Sequence, residues 1–173
     1  GETMDGPIDG KSTLWFVKKH KNIFLFLLLF STTLISLKTL KKVQIQDIII
    51  SGSKLFSKTD VVNNSSLRFP IRLILIKTNF LEKELKHNLS LKNVSVSRQI
   101  LPFGLKVHIQ TRTPIAYGER VLNDEKILGF IDIDGIFINK ENAEVKNLDN
   151  LNIQVFGWEE KFKKILSEIL ITQ

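Results

Sequence analysis

Residues 94–116 read VSVSRQILPFGLKVHIQTRTPIA, and the alternation in this stretch decides the fold. Val94, Val96 and Ile100 alternate with Ser95, Ser97 and Gln99. Leu105, Val107 and Ile109 alternate with Lys106, His108 and Gln110. Successive side chains on a strand point to opposite faces, so period-two patterning predicts two strands, each with one apolar face. Pro102-Phe103-Gly104 between them carries the residue types of a hairpin connection. Pro114, which cannot donate to a ladder, marks an exit or an edge.

Working back from this hairpin, the periodicity changes to that of helices. Leu81, Leu85 and Leu89 recur at i, i+4 and i+8 among Glu82, Lys83, Glu84 and Lys86, which places one apolar face on a helix over residues 79–91. Residues 63–68 are turn-like. Ser57 with Asp60 three positions on, followed by Val61-Val62, predicts a short capped helix. Val43, Ile45, Ile48 and Ile50 lead to Gly52 as a first strand and its stop. The order from 43 to 117 is β-α-α-β-β.

Forward of the hairpin, residues 127–133 and 136–138 flank Asp134-Gly135, a two-residue turn signal. Leu151, Ile153 and Val155 then alternate up to Gly157. Phe162, Ile165, Leu166, Ile169 and Leu170 fit the i, i+3, i+4, i+7, i+8 template of an amphipathic helix, with Glu159-Glu160 suited to its start. The fold class expected is α+β, in two small strand-rich units, 43–117 and 118–173.

The N-terminal region is of another kind. Residues 23–37, IFLFLLLFSTTLISL, hold no charge, and extension to 40 admits only Lys38. Eighteen helical residues span about 27 Å, close to the ~30 Å hydrocarbon core of a bilayer. Ile23, Phe24, Leu27, Phe30, Leu34 and Leu37 are the expected anchor side chains of a membrane span over 23–40, behind a tail of residues 1–22. The lysines cluster on its flanks: Lys11, Lys18, Lys19 and Lys21 before it, Lys38, Lys41 and Lys42 after it. No small-residue cleavage pattern follows, so the segment reads as an uncleaved signal anchor, and the lysine balance tips toward a cytoplasmic N-terminus. Of the formal charge of +7, the 131 residues beyond this region contribute only +3. The basic balance therefore argues for membrane topology and against a nucleic-acid partner.

Catalytic and metal-binding patterns are weak. Zero cysteines remove disulfides, thiol nucleophiles and Cys-based zinc sites. Gly10-Lys11-Ser12 resembles the end of a phosphate loop but lacks the upstream glycine in register. Asp132-x-Asp134-Gly135 lacks the distal carboxylate of a calcium loop, with Ala143 at that place. His20, His87 and His108 have no partners at metal spacing. The expectation is no enzyme, no cofactor, no metal and no small-molecule substrate. Arg112 reads either as an interface residue or as a solvated strand-end charge, and the C-terminal helix either docks a partner or packs on its own sheet.

In this order and spacing the residues resemble the FtsQ/DivIB family of bacterial division proteins. The strand ending Ile48-Ile49-Ile50-Ser51-Gly52, the Ser57/Asp60 helix start, and Val96, Arg98, Pro102, Leu105, Val107, Ile109, Arg112, Pro114, Ile115 and Ala116 match the family's POTRA domain and its exit. Residues 131–137, IDIDGIF, are similar to the signature opening its β domain. Thr111 stands where the family has Glu, and one extra residue separates Arg98 from Pro102. The resemblance implies a single-pass bacterial plasma-membrane protein at the division septum, with its bulk outside the cytoplasm and FtsB and FtsL as partners. It also implies further strands after the last helix, so a β domain cut short at Gln173 is expected. Gly1-Glu2-Thr3 before Met4 suggests a start that is not the native one. On this reading the protein bridges others by strand addition at sheet edges. Residues 107–116, with Val107, Ile109, Arg112 and Pro114, form an exposed strand region; Ile153 and Val155 lie on a strand in need of a neighbour. The alternative is a POTRA-bearing transport or secretion adaptor.

Overall fold

The computed structural model describes residues 10–144 and 151–173. It divides into two compact units, Gly1–Lys41 and Lys42–Gln173. The first contains one helix, α1 (Gly10–Leu40). Residues 10–22, read from sequence as a tail, are thus helical in good part, because no proline or glycine follows Gly10 to stop propagation before 40. Residues 1–9 lie outside the described residues.

Within α1, Lys18–Leu37 is a 20-residue stretch of mean hydropathy 1.5 with none of it buried inside the protein. Ile23, Phe24, Leu27, Phe30, Leu34 and Leu37 are all exposed, so the apolar surface runs around the whole cylinder. The three polar side chains in its middle are satisfied locally: Ser31 Oγ donates to Leu28 O (2.9 Å), Thr32 Oγ1 to Leu29 O (2.9 Å) and Thr33 Oγ1 to Leu29 O (2.8 Å). A helix apolar on all faces, with its hydroxyls returned to its own carbonyls, is built for a solvent without hydrogen-bonding capacity. It suggests a single-pass membrane anchor.

The second unit opens with β1 (Lys42–Val43), which pairs antiparallel with β3 (Ile71–Arg72). Between them lie β2 (Ile48–Ser51) and α2 (Lys58–Asn63). Then come α3 (Thr78–Asn88), β4 (Asn93–Ile100) and β5 (Phe103–Gln110). The three longer strands form a sheet in the order β2-β5-β4, with β2 parallel and β4 antiparallel to β5. Leu81 and Leu85 of α3, and Leu89 at its C-cap, share one core with Ile48, Val61, Val94, Val96, Leu105, Val107 and Ile109. The helix start read at Ser57 is present: its Oγ accepts from Asp60 N (3.2 Å), while Asp60 Oδ2 accepts from Ser57 N (2.7 Å). Ser57→Ala removes one half of this reciprocal cap and should lower stability by about 1 kcal/mol, measurable as a shifted denaturation midpoint; an unchanged midpoint would show the cap to be dispensable.

Residues 107–116 do not form the exposed strand region expected from sequence. β5 is the central strand, hydrogen-bonded on both sides, and Val107 and Ile109 are fully buried. The alternation that revealed the strand turns these residues inward against α3, and β5, lying between β2 and β4, offers no edge of its own for an added strand. The hairpin is also tighter than read: Ile100 pairs with Phe103, so Leu101-Pro102 make the turn and Gly104 lies inside β5.

The chain then enters a second sheet of four strands, β6 (Ala116–Leu122), β7 (Glu125–Ile131), β8 (Phe137–Asn139) and β9 (Gln154–Val155), ordered β8-β7-β6-β9. β6 begins two residues before the boundary read at 117/118. The β6–β7 hairpin turns on Asn123 and Asp124, both at positive φ (51° and 63°), as a two-residue type I′ connection requires. Asp134-Gly135, by contrast, does not form a two-residue turn. Ile131 pairs with Phe137, and the five residues 132–136 loop around Asp132, whose Oδ1 accepts from Asp134 N (3.1 Å) and Ile136 N (2.9 Å). α4 (Lys163–Ile171) lays Leu166 and Leu170 onto a core of Ala116, Ile131, Phe137 and Trp158.

Candidate functional site

Arg112 sits in the passage from the first sheet to the second. Its Nη1 donates to Asp132 Oδ2 (2.6 Å) and Asp134 Oδ2 (2.9 Å), and both Arg112 and Asp132 side chains are buried. One residue earlier, Thr111 Oγ1 donates to Glu144 Oε2 (2.9 Å). The arginine is therefore not a solvated charge. It ties the end of β5 to the loop between β7 and β8. Asp132-x-Asp134, the pattern examined for calcium, is occupied by this guanidinium. Among the described residues there is no group of three His, Cys, Asp or Glu side chains placed to hold a metal. The three histidines stay apart in the sequence, and His108 Nδ1 lies 3.0 Å from Ser51 Oγ within the first sheet. Pro114 is half-buried in the connection between the sheets.

Ile153 and Val155 are placed differently from Val107 and Ile109. Their side chains are half-buried against the second core, and Tyr117 N donates to Ile153 O (2.9 Å). The neighbour that residues 153–155 were expected to lack is β6, met in parallel register with Tyr117 opposite Gln154 and Gly118 opposite Val155. On its other side β9 has no ladder partner among the described residues. It is a sheet edge, presenting backbone donors and acceptors as an edge strand does.

Beside that edge lies apolar surface not singled out from sequence. Phe156 is 71% exposed and Leu128 65%, with Val121 and Leu122 exposed on the neighbouring hairpin. A shallow cleft of about 200 Å³ runs between Tyr117, Glu119, Leu128, Gln154, Val155 and Phe156. Strand β7 could be read from its apolar residues, but alternation alone does not say that Leu128 faces outward once β6 and β8 have taken both its sides. Phe156, one residue beyond Val155 and just before Gly157, carried a signal: an aromatic side chain at the end of an edge strand.

Two helices on one face of a three-stranded sheet, in the order β-α-α-β-β with the first strand parallel to the last, make a POTRA domain, a non-enzymatic protein-interaction fold. Residues 43–112 match the family model of the POTRA domain, FtsQ-type. That segment is an FtsQ-type POTRA domain, and with the apolar helix ahead of it the chain fits an FtsQ/DivIB-like protein. No curated protein matches the chain.

Proposed function

We propose that the chain is a membrane-anchored scaffold of the bacterial division machinery. It is held by α1 with its N-terminus in the cytoplasm, and it works at the septum by contact rather than catalysis. The observation that carries this reading is the FtsQ-type POTRA match at 43–112 directly behind an apolar helix. FtsB and FtsL are the partners the resemblance implies. The edge of β9 that has no ladder partner among the described residues supports strand addition by a partner segment, with Phe156 and Leu128 as apolar anchors beside it. Main-chain hydrogen bonds then supply affinity, and the cleft selects side chains.

Depleting the protein from its host should give long, undivided cells; normal septation after complete depletion sinks the reading. At residue level, the double substitution Leu128→Asp and Phe156→Asp should leave the fold intact, because both side chains are exposed. Loss of two apolar anchors should weaken capture of FtsB and FtsL from membranes by at least about 2 kcal/mol, roughly thirtyfold. Undiminished capture by the folded double variant removes this face from the scaffold's contacts.

A further inference from the structure

One end of the POTRA sheet carries bulky aliphatic side chains in the open. Ile45, Ile74, Leu75, Ile100 and Leu101 are 40–79% exposed. They come from three separate stretches, and the fold gathers them. Ile45 begins the single helical turn immediately before β2. Ile48 of β2 lies beside Leu105, near the start of β5, so residue 45 sits at that end of the sheet. Ile100 and Leu101 end β4 and form its turn into β5, at the same end. Gly104 seats this turn against Asp47, whose carbonyl a Cβ there would strike. Ile74 and Leu75 belong to the segment after β3, which Arg98 holds in place: its Nε donates to Leu73 O (3.1 Å) and its Nη2 to Ile76 O (2.5 Å).

The chain enters the domain at this same place. Lys42 begins β1 and pairs with Arg72, directly before Leu73. From Leu37, where the apolar stretch of α1 ends, to Lys42 there is at most about 12 Å of chain. The headgroup layer of a bilayer is itself about 5–7 Å deep on each side. Connectivity alone therefore keeps Lys42 and the strand paired with it at the lipid surface. Around the aliphatic tips stand Lys42, Arg72 and Lys77, exposed and without a carboxylate partner among the described residues. The nearby carboxylates are engaged locally: Asp47 accepts from Gln44 N at 2.9 Å, and Glu84, which lines a cleft with Leu75 and Lys77, accepts from Ser66 Oγ at 3.2 Å.

We propose that this end of the POTRA domain is a lipid-contacting surface, inserting its aliphatic tips at the headgroup boundary while Lys42, Arg72 and Lys77 meet anionic phosphates. Aliphatic tips ringed by long basic side chains are the composition of interfacial membrane contact. The proposal rests on reading α1 as a membrane span.

The absence of cysteine permits a direct test in the full chain. Single variants Leu75→Cys, Leu101→Cys, Asn93→Cys and Leu27→Cys, each carrying an environment-sensitive fluorophore, are reconstituted into phosphatidylethanolamine–phosphatidylglycerol vesicles. The vesicles contain nitroxide lipids labelled at the headgroup or deep in the acyl chain. Asn93 lies at the far end of β4, about 24 Å from Ile100, and serves as the control. Headgroup nitroxide should quench the labels at 75 and 101 at least threefold more than the label at 93, and the deep nitroxide should quench the label at 27. Equal quenching at 75, 101 and 93, with 27 quenched, overturns the proposal and leaves the anchor intact. An unquenched label at 27 overturns the anchor reading and the proposal together.

Discussion

Replacing Arg112 with leucine should lower the unfolding free energy of the unit Lys42–Gln173 by about 3–5 kcal/mol, the range for breaking one side of a buried ion pair. The loss comes mostly from what the substitution leaves behind. Asp132 is only 3% exposed, and without the guanidinium its charge keeps just the two backbone N–H groups of its own loop. Removing the outer partner tests this account, because the Asp134 side chain is 59% exposed and its half of the contact is screened by water. Asp134→Ala should cost under about 1 kcal/mol. Denaturant titrations of the two variants separate the cases. Equal losses, or an Arg112→Leu loss below that of Asp134→Ala, would show that burial of Asp132 does not set the energy. The expected disparity also bears on function, since Arg112 stitches the POTRA sheet to the β7–β8 loop on which α4 packs.

Gly135→Ala should act on α4 rather than on the turn alone. Gly135 has φ +73°, a left-handed conformation that costs an alanine about 1–2 kcal/mol. The larger obstacle is spatial: a Cβ at this position would lie 2.1 Å from the backbone carbonyl oxygen of Lys163. Backbone does not yield as a flexible side chain does, so the first turn of α4 must move. That displacement strains two tethers, Trp158 Nε1 donating to Gly135 O (2.8 Å) and Ser167 Oγ donating to Ile133 O (2.8 Å). Each is worth about 1 kcal/mol net, which brings the expected total to roughly 2–4 kcal/mol. Amide exchange locates the effect. Protection should fall across Lys163–Ile171 and hold in β4 and β5; wild-type protection throughout α4 rules out the packing explanation.

Both substitutions fall where sequence reading and structure part company. The POTRA domain was legible because its signals are local. Leucines four residues apart define the buried stripe of α3, alternation defines β4 and β5, and Ser57 with Asp60 closes a cap three residues long. The family match at 43–112 covers the same segment. The candidate binding residues were less legible. Val107 and Ile109 were expected at an open strand, and alternation describes their spacing correctly but says nothing of which strand has neighbours on both sides. Arg112 was read as interface or solvent because its partners lie 20 and 22 residues onward. Asp134-Gly135 has the composition of a two-residue turn, yet Asp132 draws two backbone amides to its carboxylate and widens the loop to five residues.

An apolar helix long enough to cross a bilayer, and the succession of strands and helices behind it, can be read from the residues in order. Each depends on side chains within a few positions of one another, so periodicity and capping suffice. It takes the folded chain to show that β5 is central, that β9 returns to lie parallel to β6, and that Arg112 is clamped between two aspartates. Folding likewise collects the aliphatic tips of residues 45, 74, 75, 100 and 101 where the chain enters the domain. Those facts depend on which distant segments meet. Strand period sets a side chain's face but not its neighbour, and the closing of long loops is settled by the packing of the whole core rather than by any stretch within it.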